Sequence, residues 1–81
     1  MVPAMSLLLP QNRAGTVRSA TAVDIHGDRY VDVAVTLDGD AGTLANGRLG
    51  AADCAVGLAP GDRVTVRFIM GVMVRVEREA L

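Results

Sequence analysis

Eight arginines, nine carboxylates, one histidine and one cysteine are the groups in this 81-residue chain able to take part in acid–base, nucleophilic or metal chemistry. Their spacing argues against catalysis. His26 sits beside Gly27 and Asp28, a turn-forming sequence, and a metal site needs several ligands rather than one imidazole. Cys54 stands alone, so an internal disulfide, a redox pair and a zinc site are all excluded. Asp38-Gly39-Asp40, even with Asp53 nearby, lacks the loop length and the terminal glutamate of a calcium loop, and turn chemistry accounts for it better. Ser6 and Ser19 have no histidine-plus-acid partners. Gly47-Arg48-Leu49-Gly50 does not follow a strand into a helix, which makes it a poor phosphate or RNA clamp. The chain therefore reads as a non-enzymatic protein with no cofactor and no metal.

Two arginines remain of interest. A hairpin in the last twenty or so residues, with Val66 opposite Val76 and a three-residue loop Met70-Gly71-Val72, sets Arg67 directly opposite Arg75. Like charges facing each other across a pair repel unless something negative lies between them. Either Glu77 and Glu79 act as diagonal partners, or the two guanidinium groups hold an anion or the carboxylate of a partner. The same register puts Ile69 with Met73 and makes Ile69, Met70 and Met73 an apolar tip. Methionine suits adaptable contact surfaces.

The elements that would position these groups are strands. Apolar residues make up 51% of the chain, but Tyr30 and Phe68 are its two aromatics, so the core must be aliphatic and mostly valine. Valine is β-branched and fits a pleated surface. Residues 16–25 and 29–37 alternate, and a three-residue loop His26-Gly27-Asp28 would pair Val23 with Val31. The expected inward set is Val17, Val23, Ile25, Val31, Val33, Val35, Leu37, Val64, Val66, Phe68, Val74 and Val76. A short strand over 41–45 should end at an Asn46-Gly47 turn. A helical turn is expected near residues 50–57, and Ala59-Pro60-Gly61-Asp62 has the order of a type II turn. The expected fold is all-β: a small five-stranded closed barrel, residues 15–81, preceded by an extended arm, residues 1–14.

The arm carries Pro3, Pro10 and three consecutive leucines, Leu7, Leu8 and Leu9. These leucines either cap the end of the barrel or add to another subunit as a strand. The run between the prolines is too short for a signal sequence and lacks a basic flank, so neither a signal peptide nor a membrane span is expected. Met5 is an alternative start. A net charge of −1 and the scarcity of stacking aromatics disfavour a nucleic-acid partner.

Over residues 13–78 the layout resembles small OB-like barrels. Gly15-Thr16-Val17 opens the first strand, and Gly61-Asp62-Arg63-Val64-Thr65-Val66 enters the last hairpin. That outline looks like the small barrels in virions of tailed phages of actinobacteria. The resemblance implies a head-decorating, minor capsid or tail component that docks on itself or on other subunits, located in the virion if phage-encoded and otherwise cytoplasmic. With Val56-Gly57-Leu58-Ala59-Pro60 and Val72-Met73 added, the chain also resembles the Mop/TOBE barrels. This second resemblance implies an oligomeric binder of molybdate or a similar oxyanion.

Overall fold

The computed structural model describes residues 9–40 and 42–79. The chain forms five antiparallel strands: β1 (Gln11–Ile25), β2 (Asp28–Leu37), β3 (Leu44–Gly50), β4 (Arg63–Ile69) and β5 (Val72–Arg78). A 3-10 turn, Ala51–Asp53, falls where a helical turn was expected. The strands make one sheet in the order β3-β2-β1-β4-β5, which curls around an apolar interior. That interior contains Val17, Val33, Val35, Leu37, Leu49, Cys54, Val64, Val66, Met73 and Val76. It is aliphatic and valine-rich, as the composition requires.

The sheet is not closed. Among the described residues no hydrogen-bonded ladder joins the edge strands β3 and β5. The seam between them is filled by side chains. A Cβ on Gly47 would lie 2.9 Å from Sδ of Met73, so the sulfur already occupies that space. Beyond the 3-10 turn, Cys54 makes a parallel bridge to Val76, and the Ala55 N–H donates to the Val76 carbonyl at 2.9 Å. Arg78 then ties the following loop down, donating to the carbonyls of Val56 at 2.7 Å and Gly57 at 3.1 Å.

Both long hairpins turn more tightly than the spacing predicts. His26 and Gly27 have φ of 51° and 85°, and Met70 and Gly71 have φ of 52° and 77°. Two consecutive left-handed residues make a two-residue turn whose twist matches that of the strands. Ile25 therefore pairs with Asp28 and Val23 with Tyr30. A bulge at Arg18, between Val17 and Ser19, exchanges the faces of β1. Val17 lies in the core, while further along it is Ala20 and Ala22 that stand opposite Val33 and Val31. Val23 and Ile25, expected inside, move to the other face and are half-buried. The C-terminal hairpin repeats this device. Val66–Val76, Arg67–Arg75 and Thr65–Glu77 pair as expected, and then a bulge leaves Val74 without a partner and sets Phe68 opposite Met73.

Two further expectations change. Asn46 and Gly47 lie within β3 rather than at a turn, because β3 begins only at Leu44. β1 begins at Gln11, so residues 11–14 of the expected arm belong to the sheet, where they pair with Phe68 through Thr65. The Pro60-Gly61 turn forms as expected, with Gly61 at φ 95° and the Asp62 N–H donating to the Ala59 carbonyl at 3.0 Å.

Charged pairs lace the outside. Arg48 holds Asp32 through two hydrogen bonds of 2.6 and 2.9 Å across the β3–β2 pair. Arg63 donates to both oxygens of Asp38, at 2.8 and 2.5 Å, and also reaches Glu79 and the Thr16 hydroxyl. These hydrogen bonds, aided by the nearby positive charge, hold the carboxyls of Asp32 and Asp38 below the usual range. A carboxyl depressed in the folded state stabilises above its unfolded value, and that stabilisation is lost as pH falls through the folded value. Tm should thus be flat near neutrality and decline below about pH 4, the ordinary aspartate range. Removing both arginines (Arg48→Ala, Arg63→Ala) should flatten that acid limb in a calorimetric series. An unchanged limb would place the acid sensitivity elsewhere. All four side chains are substantially exposed, so the effect is small.

Candidate functional site

The C-terminal hairpin places its tip, Met70-Gly71, at the same end of the sheet as the start of β1, since Gln11 pairs with Phe68. Leu9, Gln11, Arg13, Leu37, Phe68 and Gly71 line a groove of about 150 Å³ there. Exposed apolar side chains gather at this end of the sheet: Met70 is 65% exposed, Val72 61%, Leu9 59% and Ile69 39%. The last of the three arm leucines and the hairpin tip, read separately from the sequence, therefore lie at one end of the sheet, where Leu9 and Gly71 line the same groove. Leu7 and Leu8 lie outside the described residues.

Met73 does not belong to this surface. The tight turn and the bulge at Val74 rotate it inward, where it is 4% exposed opposite Phe68 and fills the seam against Gly47. Val72 takes its place at the tip. The sequence signal for this was the dipeptide Met70-Gly71 itself. Methionine is rare in the first position of such a turn, which normally selects asparagine, aspartate or glycine.

Arg67 and Arg75 face each other on the outward side of the sheet, as expected. On the other side of β4, Arg67 pairs with Asn12, giving a row Asn12–Arg67–Arg75 across three strands. Thr65 and Glu77 form the next pair along, and these five residues line a cleft of about 220 Å³. Arg75 bonds Glu77 at 3.1 Å and lies 3.9 Å from Asp53. Glu79, the other expected diagonal partner, bonds Arg63 instead.

The remaining candidates are placed plainly. His26 is an exposed turn residue. Asp38 is engaged by Arg63, Asp40 is exposed, and the Asp40 N–H closes a turn onto the Leu37 carbonyl at 3.1 Å. Cys54 is a core residue whose thiol is pushed up by burial, the opposite of activation. Gly47-Arg48-Leu49-Gly50 is a strand segment of β3 and not a loop. Among the described residues no group of three or more His, Cys, Asp or Glu is placed to hold a metal. No helix among them is long and apolar enough to cross a membrane. In comparisons with known proteins, no family model, no curated protein and no solved structure matches the chain.

Proposed function

We propose that this chain is a non-enzymatic interaction module that docks onto protein subunits through its apolar end. The residues that bear the contact are Leu9, Ile69, Met70 and Val72. The reading extends to a virion component, a capsid-decorating, minor capsid or tail protein. The observation that carries the docking reading is the strained display of Met70. A non-glycine residue at φ 52° costs roughly 1 kcal/mol. Asparagine or glycine would sit there with less strain. The chain instead holds a flexible, polarisable side chain in the open, flanked by Val72 and Ile69. Exposed apolar groups gathered at one end favour burial against a partner.

The test separates stability from association. Met70→Asn should raise Tm, because asparagine tolerates this conformation better. Ile69→Glu with Val72→Glu should leave the melt cooperative. Both variants should reduce self-association in sedimentation velocity, or incorporation into particles where a host particle is known. Wild-type association in both would remove the docking reading. The genes beside its own supply a second test: portal and major capsid genes support a virion part, whereas a molybdate transporter supports an oxyanion carrier.

A further inference from the structure

We propose that the row Asn12–Arg67–Arg75 is a binding site for a single oxyanion group, on the flank of the sheet and independent of the docking end. The argument starts from an imbalance of donors. A guanidinium carries five N–H donors and no acceptor. Arg67 is half-buried, yet among the described residues its guanidinium makes no hydrogen bond or ion pair. Arg13, Arg29, Arg48, Arg63, Arg75 and Arg78 each have an oxygen partner. Arg18, the other arginine without one, is exposed at the β1 bulge, where water serves it.

The neighbours deepen the imbalance. Arg75 stands directly opposite Arg67, and like charges in that position destabilise a pair. The carboxylate of the cleft, Glu77, is already bonded to Arg75. Asn12 and Thr65 add an amide and a hydroxyl, both able to donate. Glu77 is the one carboxylate lining the cleft, and both it and Asp53, 3.9 Å from Arg75 and beyond the lining, are turned to Arg75, which leaves the Arg67 guanidinium unmatched beside two further donors. What fits is a group with two or more oxygens sharing negative charge, because Arg67 can engage two of them at once. A volume of about 220 Å³ admits a tetrahedral ion or a carboxylate. A free ion and an acidic side chain of a partner present the same chemistry, and the experiment distinguishes them.

The full chain, with its arginine side chains labelled, is titrated by NMR at constant ionic strength with sodium phosphate and separately with sodium acetate. The expected result is a saturable shift of the Arg67 Nε–H signal, half-complete at roughly 1–10 mM, as suits one bidentate contact at a surface. Saturation with phosphate alone marks a tetrahedral ligand. Saturation with acetate marks a carboxylate. Arg67→Thr should weaken binding at least about tenfold, while its Tm in anion-free buffer stays equal to wild type or rises, because the opposed charges are relieved. Glu77→Gln should tighten binding by removing the competing carboxylate. Linear, unsaturable shifts with both anions would overturn the proposal. So would equal binding by Arg67→Thr, or a clear loss of Tm in that variant, which would make Arg67 a structural residue.

Discussion

Val66→Asp is expected to abolish cooperative folding. Val66 is 0% exposed at the centre of β4, with β1 on one side and β5 on the other. Its side chain lies in a cluster made of valine, leucine, methionine and cysteine, where no buried polar or charged residue stands among the described ones. A carboxylate there has no cation and no donor. It would ionise at a cost of several kcal/mol or stay protonated with unmet hydrogen bonds, and it would also forfeit the apolar burial. A domain of this size has stability near the low end of the usual 5–15 kcal/mol or so. The deficit exceeds what remains. Far-UV circular dichroism on heating should show no sigmoidal transition. Val66→Ala, which loses burial alone, should still melt cooperatively, lower by about 2 kcal/mol. A wild-type melt for the aspartate variant would mean that this face of β4 is not interior.

Gly15→Ala should be nearly as damaging, for a steric reason. Gly15 pairs with Leu37 on one side and Val64 on the other, at the point where β1 joins the two halves of the sheet. A Cβ there would lie 2.6 Å from the Thr36 carbonyl oxygen and 2.6 Å from Cγ1 of Val35. The first of these is backbone and cannot rotate away. β2 would have to separate from β1, so the cost should reach about 3 kcal/mol or more. Gly47→Ala is the internal comparison. Its new methyl meets the Met73 Cβ and Sδ, both at 2.9 Å; the sulfur can swing aside, the Cβ must shift with β5, which no ladder bonds to β3, and a smaller loss of about 2 kcal/mol is expected. Urea unfolding midpoints compare the two. Equal, mild effects would show that the strands do not cross so closely at Gly15.

The alternation of valines was enough to read an all-β chain, an aliphatic core and most of its members. The last hairpin's base was legible because Val66, Val76, Thr65 and Glu77 obey a strict period of two. Both hairpin tips were not. A two-residue turn without a bulge would set inward residues opposite outward ones, so a three-residue loop was expected at each. The chain takes a two-residue turn and then recovers the register with a bulge at Arg18 or Val74. Alternation alone does not reveal a bulge, because one extra residue exchanges the faces without altering the pattern on either side of it. Val23, Ile25, Met73 and Val74 were misplaced for that reason. Closure was also over-read. A run of strands with matching inner faces indicates curvature, but whether the two edges bond depends on spacing that sequence does not encode. The arginine row was foreseen as a pair. Asn12 was missed because its strand was taken for part of the arm.

The seam between β3 and β5 has a consequence for how such a molecule changes over generations. In a fully laddered barrel the girth is quantised, since strands can slide past one another only by whole residues and each step reassigns every facing side chain. Here one junction of the wall is a contact between Met73 and the bare backbone at Gly47. Exchanges at these two positions can widen or narrow the seam by fractions of an ångström with no hydrogen bond between β3 and β5 at stake, up to the Ala55–Val76 bond that pins its far end. Its diameter is free to drift gradually to suit whatever it must fit.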